Sequence, residues 1–291
     1  MDAKHKSETR LRLFLQELKN NHGLVALKTG TEVEDMSFAE ISMLRRITAG
    51  LLPLHVKIGG PEARNDIRNL LHIQVDGIIA PMIESAYALK NFVGTLKELC
   101  SEDQYSKLEK GINLETVTAF QNMDSILTSP ARKELNQVTA ARTDLSGSME
   151  RSPDDAEVLE ACALIVARCQ EYELRTSVGG AIHPGIIETL VNRIAPDTIN
   201  TRHMVISRSA LREDATGHLV AALEFELELY RYLATIPESA WPTESLMRRP
   251  TIEAITKVIP VASAAVPTAP TPATAPAKAT RPLRVKPVIR L

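Results

Sequence analysis

The sequence predicts an α/β protein folded as a (β/α)8 TIM barrel with a disordered C-terminal tail. Short β-branched runs alternate with longer amphipathic stretches between residues 7 and 258, a pattern typical of parallel β-α-β units. The GxGxxG motif of open dinucleotide-binding sheets does not follow the first predicted strand. Seven or eight such units in about 250 residues therefore favour one closed-barrel domain over residues 1–258.

The composition is that of an ordinary globular protein. Hydrophobic residues make up 44% and charged residues 24% of the chain, and 34 Lys and Arg stand against 36 Asp and Glu. This near-neutral balance argues against a nucleic-acid binder or a polybasic membrane binder. No apolar run approaches the roughly 18 residues that span a bilayer, and the charged N-terminus leads into no signal segment. We therefore expect a cytoplasmic protein with no nucleic-acid or membrane partner.

The predicted elements follow one another at regular intervals. The chain opens with an amphipathic helix over 7–20, in which Leu11, Leu15 and Leu18 share one face. Ser152 followed by a proline and two acids is a typical helix N-terminus, so a helix is predicted from there to about residue 171. The last helix is predicted over 218–233 from its leucine spacing. Strands are predicted over 24–27, 54–58, 77–80, 111–114, 137–141, 176–178 and 198–206.

Residues 259–291 differ in composition from the rest of the chain. They hold seven of the 17 prolines, five basic residues and no acid. Such a segment buries too little apolar surface to offset the entropy of ordering it, so we predict a disordered tail. A docking arm for a partner or a neighbouring subunit is the alternative.

Polar residues stand where several of the predicted strands end. In a (β/α)8 barrel these ends meet at one face, where reactive groups cluster. The strings are VKIGGPEA at the end of strand two, APMIES after strand three, NLET after strand four and TDLSGS after strand five. We therefore expect the functional site to be built from these segments.

In their order and spacing, these strings resemble the HpcH/HpaI aldolase and citrate lyase beta-subunit family over roughly residues 24–210. The resemblance implies a TIM barrel that holds a divalent cation, Mg²⁺ or Mn²⁺, through one Glu and one Asp. It also implies a pyruvate-like, enolpyruvate or thioester-enolate substrate and reversible carbon–carbon bond cleavage. Members of this family generally form homo-oligomers, so we expect a trimer or hexamer.

Carried across by motif, the metal-binding pair of this family falls on Glu115 in NLET and on Asp144 in TDLSGS. Two carboxylates suit Mg²⁺, because this ion needs hard oxygen ligands and keeps several waters that an α-keto acid can replace. The cation would act as a Lewis acid on a developing enolate. The alternatives are a solvated salt bridge for Glu115 and a helix cap for Asp144.

Lys57 stands where the family usually has an arginine that contacts the substrate carboxylate or the enolate oxygen. An ammonium can stabilise an enolate but lacks the bidentate fork of arginine. Lys28, at the end of the first strand, is a second cation of the same kind and a candidate substrate-binding residue. For both lysines, a position on the surface is the alternative.

The family resemblance assigns the proton carriers less directly. The aldolase branch has a histidine where this chain has Glu32, and its partner acid aligns with His72. We predict that Glu32 and His72 exchange these roles as catalytic residues, with a carboxylate in a closed barrel mouth able to move a proton. The alternatives are a solvated loop for Glu32 and a helix surface for His72.

Further residues near the strand ends are candidates for binding the substrate. The turn at Gly59 and Gly60 precedes a predicted helix, where backbone N–H groups can receive an anion. Arg142 can bind a carboxylate or pair with a neighbouring acid instead. Two serines complete the predicted set of substrate-binding residues, Ser85 and Ser146.

Three functions are compatible with these features. The leading hypothesis is a divalent-metal-dependent lyase or aldolase acting next to the carboxylate of an α-keto acid. The second keeps the barrel and the metal but makes the protein a phosphoenolpyruvate-dependent transferase or synthase, with the lysines and glycine turns meeting phosphate. The third is a catalytically silent barrel that acts as a scaffold.

Overall fold

The computed structural model describes residues 3–235, with side chains from residue 5 onward. The tail predicted over 259–291 and the last part of the predicted barrel domain lie outside the described residues. Within them, no helix is long and apolar enough to cross a membrane.

Eight strands form a closed barrel in chain order, as predicted. Neighbouring strands from β1 to β7 are parallel, whereas β8 is antiparallel to both β7 and β1. The strands are β1 (Leu24–Gly30), β2 (Leu54–Lys57), β3 (Gly77–Ala80), β4 (Glu109–Leu114), β5 (Gln137–Ala141), β6 (Arg175–Gly179), β7 (Thr198–Asn200) and β8 (Met204–Ser207).

The helices surround the barrel and cover the outward faces of the strands. They are α1 (Ala3–Asn21), α2 (Phe38–Thr48), α3 (Arg64–Ile73), α4 (Ala86–Leu99), α5 (Glu102–Lys107), α6 (Val117–Gln121), α7 (Met123–Thr128), α8 (Arg142–Ser148), α9 (Ala156–Glu171), α10 (Pro184–Thr189), α11 (Arg208–Leu211) and α12 (Ala215–Leu233).

The structure corrects two predicted elements. The single strand expected over 198–206 is a hairpin, because Thr201 turns the chain by a backbone bond to Met204 and its hydroxyl donates to the buried Glu226. The helix expected from Ser152 begins at Ala156, since Ser152 and Asp155 form a closed turn before it.

The apolar core lies between the barrel and its helices. On α1 the predicted stripe of Leu11, Leu15 and Leu18 is buried. The first and last helices pack together, and Phe14 meets Phe225 edge to face with ring centroids 5.6 Å apart. The interior of the barrel is polar by contrast, because alternate residues of each strand point inward and several of these are charged or amide side chains.

Candidate active site at the barrel mouth

A cavity of about 220 Å³ opens at the end of the barrel where strands β1 to β7 finish. We call this end the mouth and the opposite end the floor. Residues from six strands or the segments that follow them line the cavity, together with Leu223 and Glu226 of α12. The charged lining residues are Lys28, Glu34, Lys57, Glu115, Asp144, Arg202 and Glu226.

Glu115 follows β4 directly and is 1% exposed. Its Oε1 accepts a hydrogen bond from the backbone N–H of Met82 at 2.8 Å, and its Oε2 accepts one from Asn113 Nδ2 at 2.9 Å. Burial raises the pKa of Glu115 and the negative charge of Asp144 adds to the rise, although the two hydrogen bonds and Lys57 oppose it. The carboxylate is therefore fixed in orientation but costly to ionise.

Asp144 lines the same cavity from the first turn of α8. Its side chain makes no hydrogen bond or salt bridge with any residue from 5 to 235. Each oxygen of Glu115 accepts one hydrogen bond and keeps a further lone pair. Two hard oxygen donors of like charge beside one cavity fit a divalent cation, which would relieve their repulsion. Among the described residues, no group of three or more His, Cys, Asp or Glu could hold a metal, so such a cation would take its other ligands from water or substrate.

Lys57 is the last residue of β2, and it is buried and lines the cavity. Its Nζ lies 2.7 Å from Glu32 Oε2. Burial alone would lower the pKa of Lys57, but its close contact with the Glu32 carboxylate and the charges of Glu34 and Glu115 raise it above its ordinary value. Lys57 is therefore a permanent ammonium group at the cavity wall, with Glu32 as its partner.

Lys28, Glu34 and Arg202 form a looser cluster beside Lys57. Glu34 Oε1 lies 3.9 Å from Lys28 Nζ and 3.8 Å from an Arg202 guanidinium nitrogen. The other carboxylate oxygen of Glu34 is buried without a hydrogen-bond partner among the described residues. Burial would raise the pKa of Glu34, but the charges of Lys28 and Arg202 lower it. The space that Glu34 fills exists because Gly30 has no side chain.

The hairpin between β7 and β8 places Arg202 at the mouth. His203, next to it, is buried, with its Nε2 2.7 Å from the Tyr230 hydroxyl and its Nδ1 3.1 Å from the Lys28 carbonyl. Burial lowers the pKa of His203 to about 4, so the ring is neutral at pH 7. Glu226 accepts from the backbone N–H of His203 at 2.6 Å, and burial raises its pKa. This network fixes the loop that carries Arg202.

The structure does not place His72 in the cavity. His72 lies exposed on the last turn of α3, because Ile67 and Leu70 turn the opposite face of that helix to the core. The prediction that His72 takes part in this exchange of roles with Glu32 is therefore wrong. Glu32 contacts the site through Lys57, and the residues of this loop that line the cavity are Val33 and Glu34.

Four of the predicted substrate-binding residues have other partners and do not line the cavity. The Gly59 N–H donates a hydrogen bond to the Asp66 carboxylate at 2.9 Å. Asp66 therefore occupies the turn at Gly59 and Gly60 that was expected to receive an anion. Ser85 caps α4 by accepting from the Ala88 N–H. Ser146 is buried in α8, where its hydroxyl donates to the Thr143 carbonyl at 2.8 Å.

Arg142 also differs from its predicted role as a substrate ligand. It is fully buried and donates to the carbonyls of Gly180 and Ala181, and it pairs with Asp154 at 3.2 Å. Gly180 has φ +88°, and a Cβ there would lie 2.6 Å from the Thr143 backbone nitrogen. Arg142 thus stabilises a tight glycine turn that lines the cavity. It affects the shape of the cavity through this turn, although it does not line the cavity itself.

Sequence reasoning missed several lining residues, chiefly Asn113, Glu34, Arg202 and Glu226. Asn113 stands two residues before Glu115 in the same strand, so the alternation of a strand was a usable signal. Arg202 and Glu226 gave no local signal, because the hairpin and a buried helix face bring them to the mouth.

No protein-family model matches the chain, and no curated protein matches it. Solved structures do match. A HpcH/HpaI aldolase from Desulfitobacterium hafniense DCB-2 is 15% identical with a TM-score of 0.55, over 79% of this chain and 89% of that one. A HpcH/HpaI aldolase/citrate lyase family protein from Burkholderia cenocepacia J2315 is 12% identical with a TM-score of 0.55, over 75% and 90%. The chain has the fold of these aldolases.

The citrate synthase SbnG is a third match, at 16% identity and a TM-score of 0.51 over 74% of this chain and 88% of that one. The fold implied by the sequence resemblance is thus confirmed across the described barrel. At identities this low, the structural similarity establishes the fold alone. The reaction has to be inferred from the residues at the mouth of this barrel.

Proposed function

We propose that this protein is a divalent-metal-dependent carbon–carbon lyase or aldolase that acts on an α-keto acid. One observation supports this most strongly. Glu115 and Asp144, two carboxylates with unused lone pairs, line the same cavity as the ammonium of Lys57. A metal-dependent reaction of an anionic keto acid needs both a cation-binding pair of carboxylates and positive side chains, and this cavity of about 220 Å³ is lined by both.

In this proposal Glu115 and Asp144 would hold Mg²⁺ or Mn²⁺, and the bound cation would supply Lewis acidity to the keto acid. Asn113 and the Met82 N–H keep the Glu115 carboxylate in one orientation. Lys57 stabilises negative charge that develops on the enolate oxygen, and Arg202 receives the substrate carboxylate. Glu32, on the far side of the Lys57 ammonium, holds that ammonium at the cavity wall.

Unpaired polar atoms deeper in the barrel also favour a polar ligand. Asn200 Oδ1 and Ser177 Oγ are buried without a hydrogen-bond partner among the described residues. A buried polar group without a partner costs free energy. Asn200 lines the cavity and can pair with a hydroxyl group or a water that enters with the ligand.

A phosphoenolpyruvate-dependent transferase is the second candidate, favoured by the three cations Lys28, Lys57 and Arg202 around one cavity. Three positive side chains suit phosphate as well as carboxylate. In this case the reaction would release phosphate from the enolpyruvate donor. A homo-oligomer, trimer or hexamer, and a location in the cytoplasm remain proposals of the same kind.

The test is a thermal-shift titration of the metal-stripped protein, because a ligand that binds the native state raises its apparent stability. Mg²⁺ or Mn²⁺ is added alone and with pyruvate, oxaloacetate or phosphoenolpyruvate. We expect the metal and one keto acid to stabilise the protein together. Glu115→Ala and Asp144→Ala should lose this effect, whereas Glu109→Gln, at the floor, should keep it.

The outcomes separate the hypotheses. Joint stabilisation by the metal and oxaloacetate or pyruvate supports the lyase. Stabilisation by phosphoenolpyruvate, followed by phosphate release, replaces it with the transferase. If none of these ligands shifts unfolding at saturating concentration, both enzyme hypotheses fail and a scaffold role takes their place.

A further inference from the structure

Two lysines line the cavity, and they differ in their partners. Lys57 Nζ is 2.7 Å from Glu32, within hydrogen-bond distance. The carboxylate nearest to Lys28 Nζ in the described chain is Glu34, at 3.9 Å, which is too far for a hydrogen bond. The Lys28 side chain is 16% exposed, and it borders the cavity. Its amine therefore faces the ligand space with its hydrogen-bonding capacity unused.

The pKa values of the two amines are shifted in opposite directions. Burial lowers the pKa of Lys28, and the positive charges of Lys57 and Arg202 lower it further, against the charges of Glu34 and Glu115. For Lys57 burial also lowers the pKa, but the contact with Glu32 and the charges of Glu34 and Glu115 together outweigh burial and raise it. An amine in a desolvated site beside another cation is the usual arrangement of a nucleophilic lysine. Loss of a proton is thus easier for Lys28 than for an exposed lysine, whereas Lys57 is held as an ammonium.

We propose that Lys28 is a nucleophile that forms an iminium with the ketone of an α-keto acid bound in this cavity. The geometry carries the proposal, because the amine opens onto the same space as the cations that would receive the substrate carboxylate. The inference rests on the proposed function for its substrate class, but it requires no metal. The iminium would give the chain a second means, besides the metal ion, of accepting the electron pair that is released when the carbon–carbon bond breaks.

The step balances with one proton from solvent. The lone pair of Lys28 Nζ forms a bond to the carbonyl carbon, and the π electrons of the C=O bond move to oxygen. That oxygen takes one proton from the attacking nitrogen and one from solvent and leaves as water. The nitrogen keeps one hydrogen and forms the C=N bond of a protonated imine, with no change of oxidation state.

The experiment is reductive trapping of the full-length protein. The protein is incubated with pyruvate and sodium cyanoborohydride, with and without EDTA, and is then digested for peptide mapping by mass spectrometry. We expect one carboxyethyl group on Lys28, at a level at least about tenfold above any other lysine. EDTA should leave the labelling unchanged.

Lys110 provides the matched control. It is also a buried lysine whose pKa burial lowers, but its Nζ donates to the carbonyls of Tyr105 and Leu108 at 2.9 and 2.6 Å, far from the cavity. Lys110→Arg should be labelled like the wild type. Lys28→Arg keeps the positive charge but removes the nucleophile, so it should abolish the labelling.

Labelling of Lys28 no greater than that of surface lysines would overturn the proposal, and mapping of the wild-type chain decides this even if Lys28→Arg fails to fold. Absent labelling with intact metal-dependent stabilisation by a keto acid would remove the Lys28 role and leave the proposed function standing. Labelling at Lys28 without any metal effect would support the iminium and remove the metal from the proposed function.

Discussion

Two glutamates at opposite ends of β4 are set in contrasting environments. Glu109, at the floor, lies 3.3 Å from His55 and 2.6 Å from Arg175. The neighbouring His55 ring and the pairing with Arg175 overcome burial and lower the pKa of Glu109 to about 2. Glu115, at the mouth, is nearly fully buried and faces Asp144, and its pKa is raised.

The contrast separates charges that support folding from charges that are held for a ligand. A carboxylate whose ionised form is favoured in the native state contributes to stability at neutral pH. A carboxylate whose ionised form is disfavoured reduces stability, and such groups cluster at functional sites. The same residue type on one strand therefore has opposite effects on folding at the floor and at the mouth.

The largest expected effect is on activity. Glu115→Gln keeps the shape and the Met82 contact but removes the charge that would hold the cation. We expect metal-dependent cleavage of the keto acid to fall by roughly 10³-fold, the equivalent of several kcal/mol of Lewis-acid stabilisation. Steady-state kinetics measures it. Glu109→Gln should stay within about threefold of wild type; equal losses in both variants would end the distinction between floor and mouth.

The next effect concerns Lys57. Lys57→Met removes the ammonium from the cavity wall and should reduce kcat by about 10²-fold, as expected for loss of one group that stabilises an oxyanion. Lys57→Arg should recover part of this loss, because it restores the charge and its pairing with Glu32. If kcat at saturating substrate is unchanged in Lys57→Met, then Lys57 supports folding, like the charges at the floor, and has no role in catalysis.

At the floor the expected effect is on stability. Glu109→Gln should lower the free energy of unfolding at pH 7 by about 1–2 kcal/mol, allowing for partial solvent exposure. Because the folded-state pKa is depressed, this contribution is complete above the unfolded-state pKa and is lost as pH falls from about 4.5 towards about 2. Urea unfolding across this range should show the two proteins converging in acid. A constant difference at every pH would assign the loss to packing instead.

The smallest effect should have the opposite sign. The pKa of Glu115 is raised by burial and by Asp144, so the native state of the metal-free protein gains stability from this group at low pH and loses it as pH rises through the folded-state pKa. Glu115→Gln should therefore stabilise the metal-free protein at pH 7 by about 0.5–1 kcal/mol. Thermal unfolding in EDTA measures it. A lowered melting temperature would show that the carboxylate is structural.

The sequence was most informative where local pattern and fold agree. Strand and helix periodicity predicted the barrel, and the family strings placed Glu115 and Asp144 on segments that do reach one cavity. Local pattern failed where distant segments decide the outcome. Nothing near Arg142 shows that Asp154 and the Gly180 turn occupy its guanidinium. For His72 a local signal did exist, because Ile67 and Leu70 mark the opposite face of α3 as the buried one.

The hairpin was hidden for a related reason. Residues 198–206 contain Ile199 near the start and an apolar run over 204–206. The polar break between them, over 200–203, becomes a turn only because Glu226, more than twenty residues later, accepts its hydrogen bonds. The position of Arg202 at the mouth depends on that turn. A side chain that reaches its place through a partner this remote gives no signal in a single sequence.

The antiparallel β8 also bears on how the chain folds. It is the strand that joins β1 to β7, pairing Leu24 with Ile206 and Leu27 with Met204, so the ring closes through contacts between residues about 180 positions apart. Contacts of such sequence separation form slowly, because loop closure must come first. A growing chain that ends before Met204 leaves two hydrogen-bonding edges open, on β1 and β7, and open edges favour aggregation. We therefore expect deletion of Met204–Ser207 alone to reduce soluble yield far more than the loss of four residues suggests.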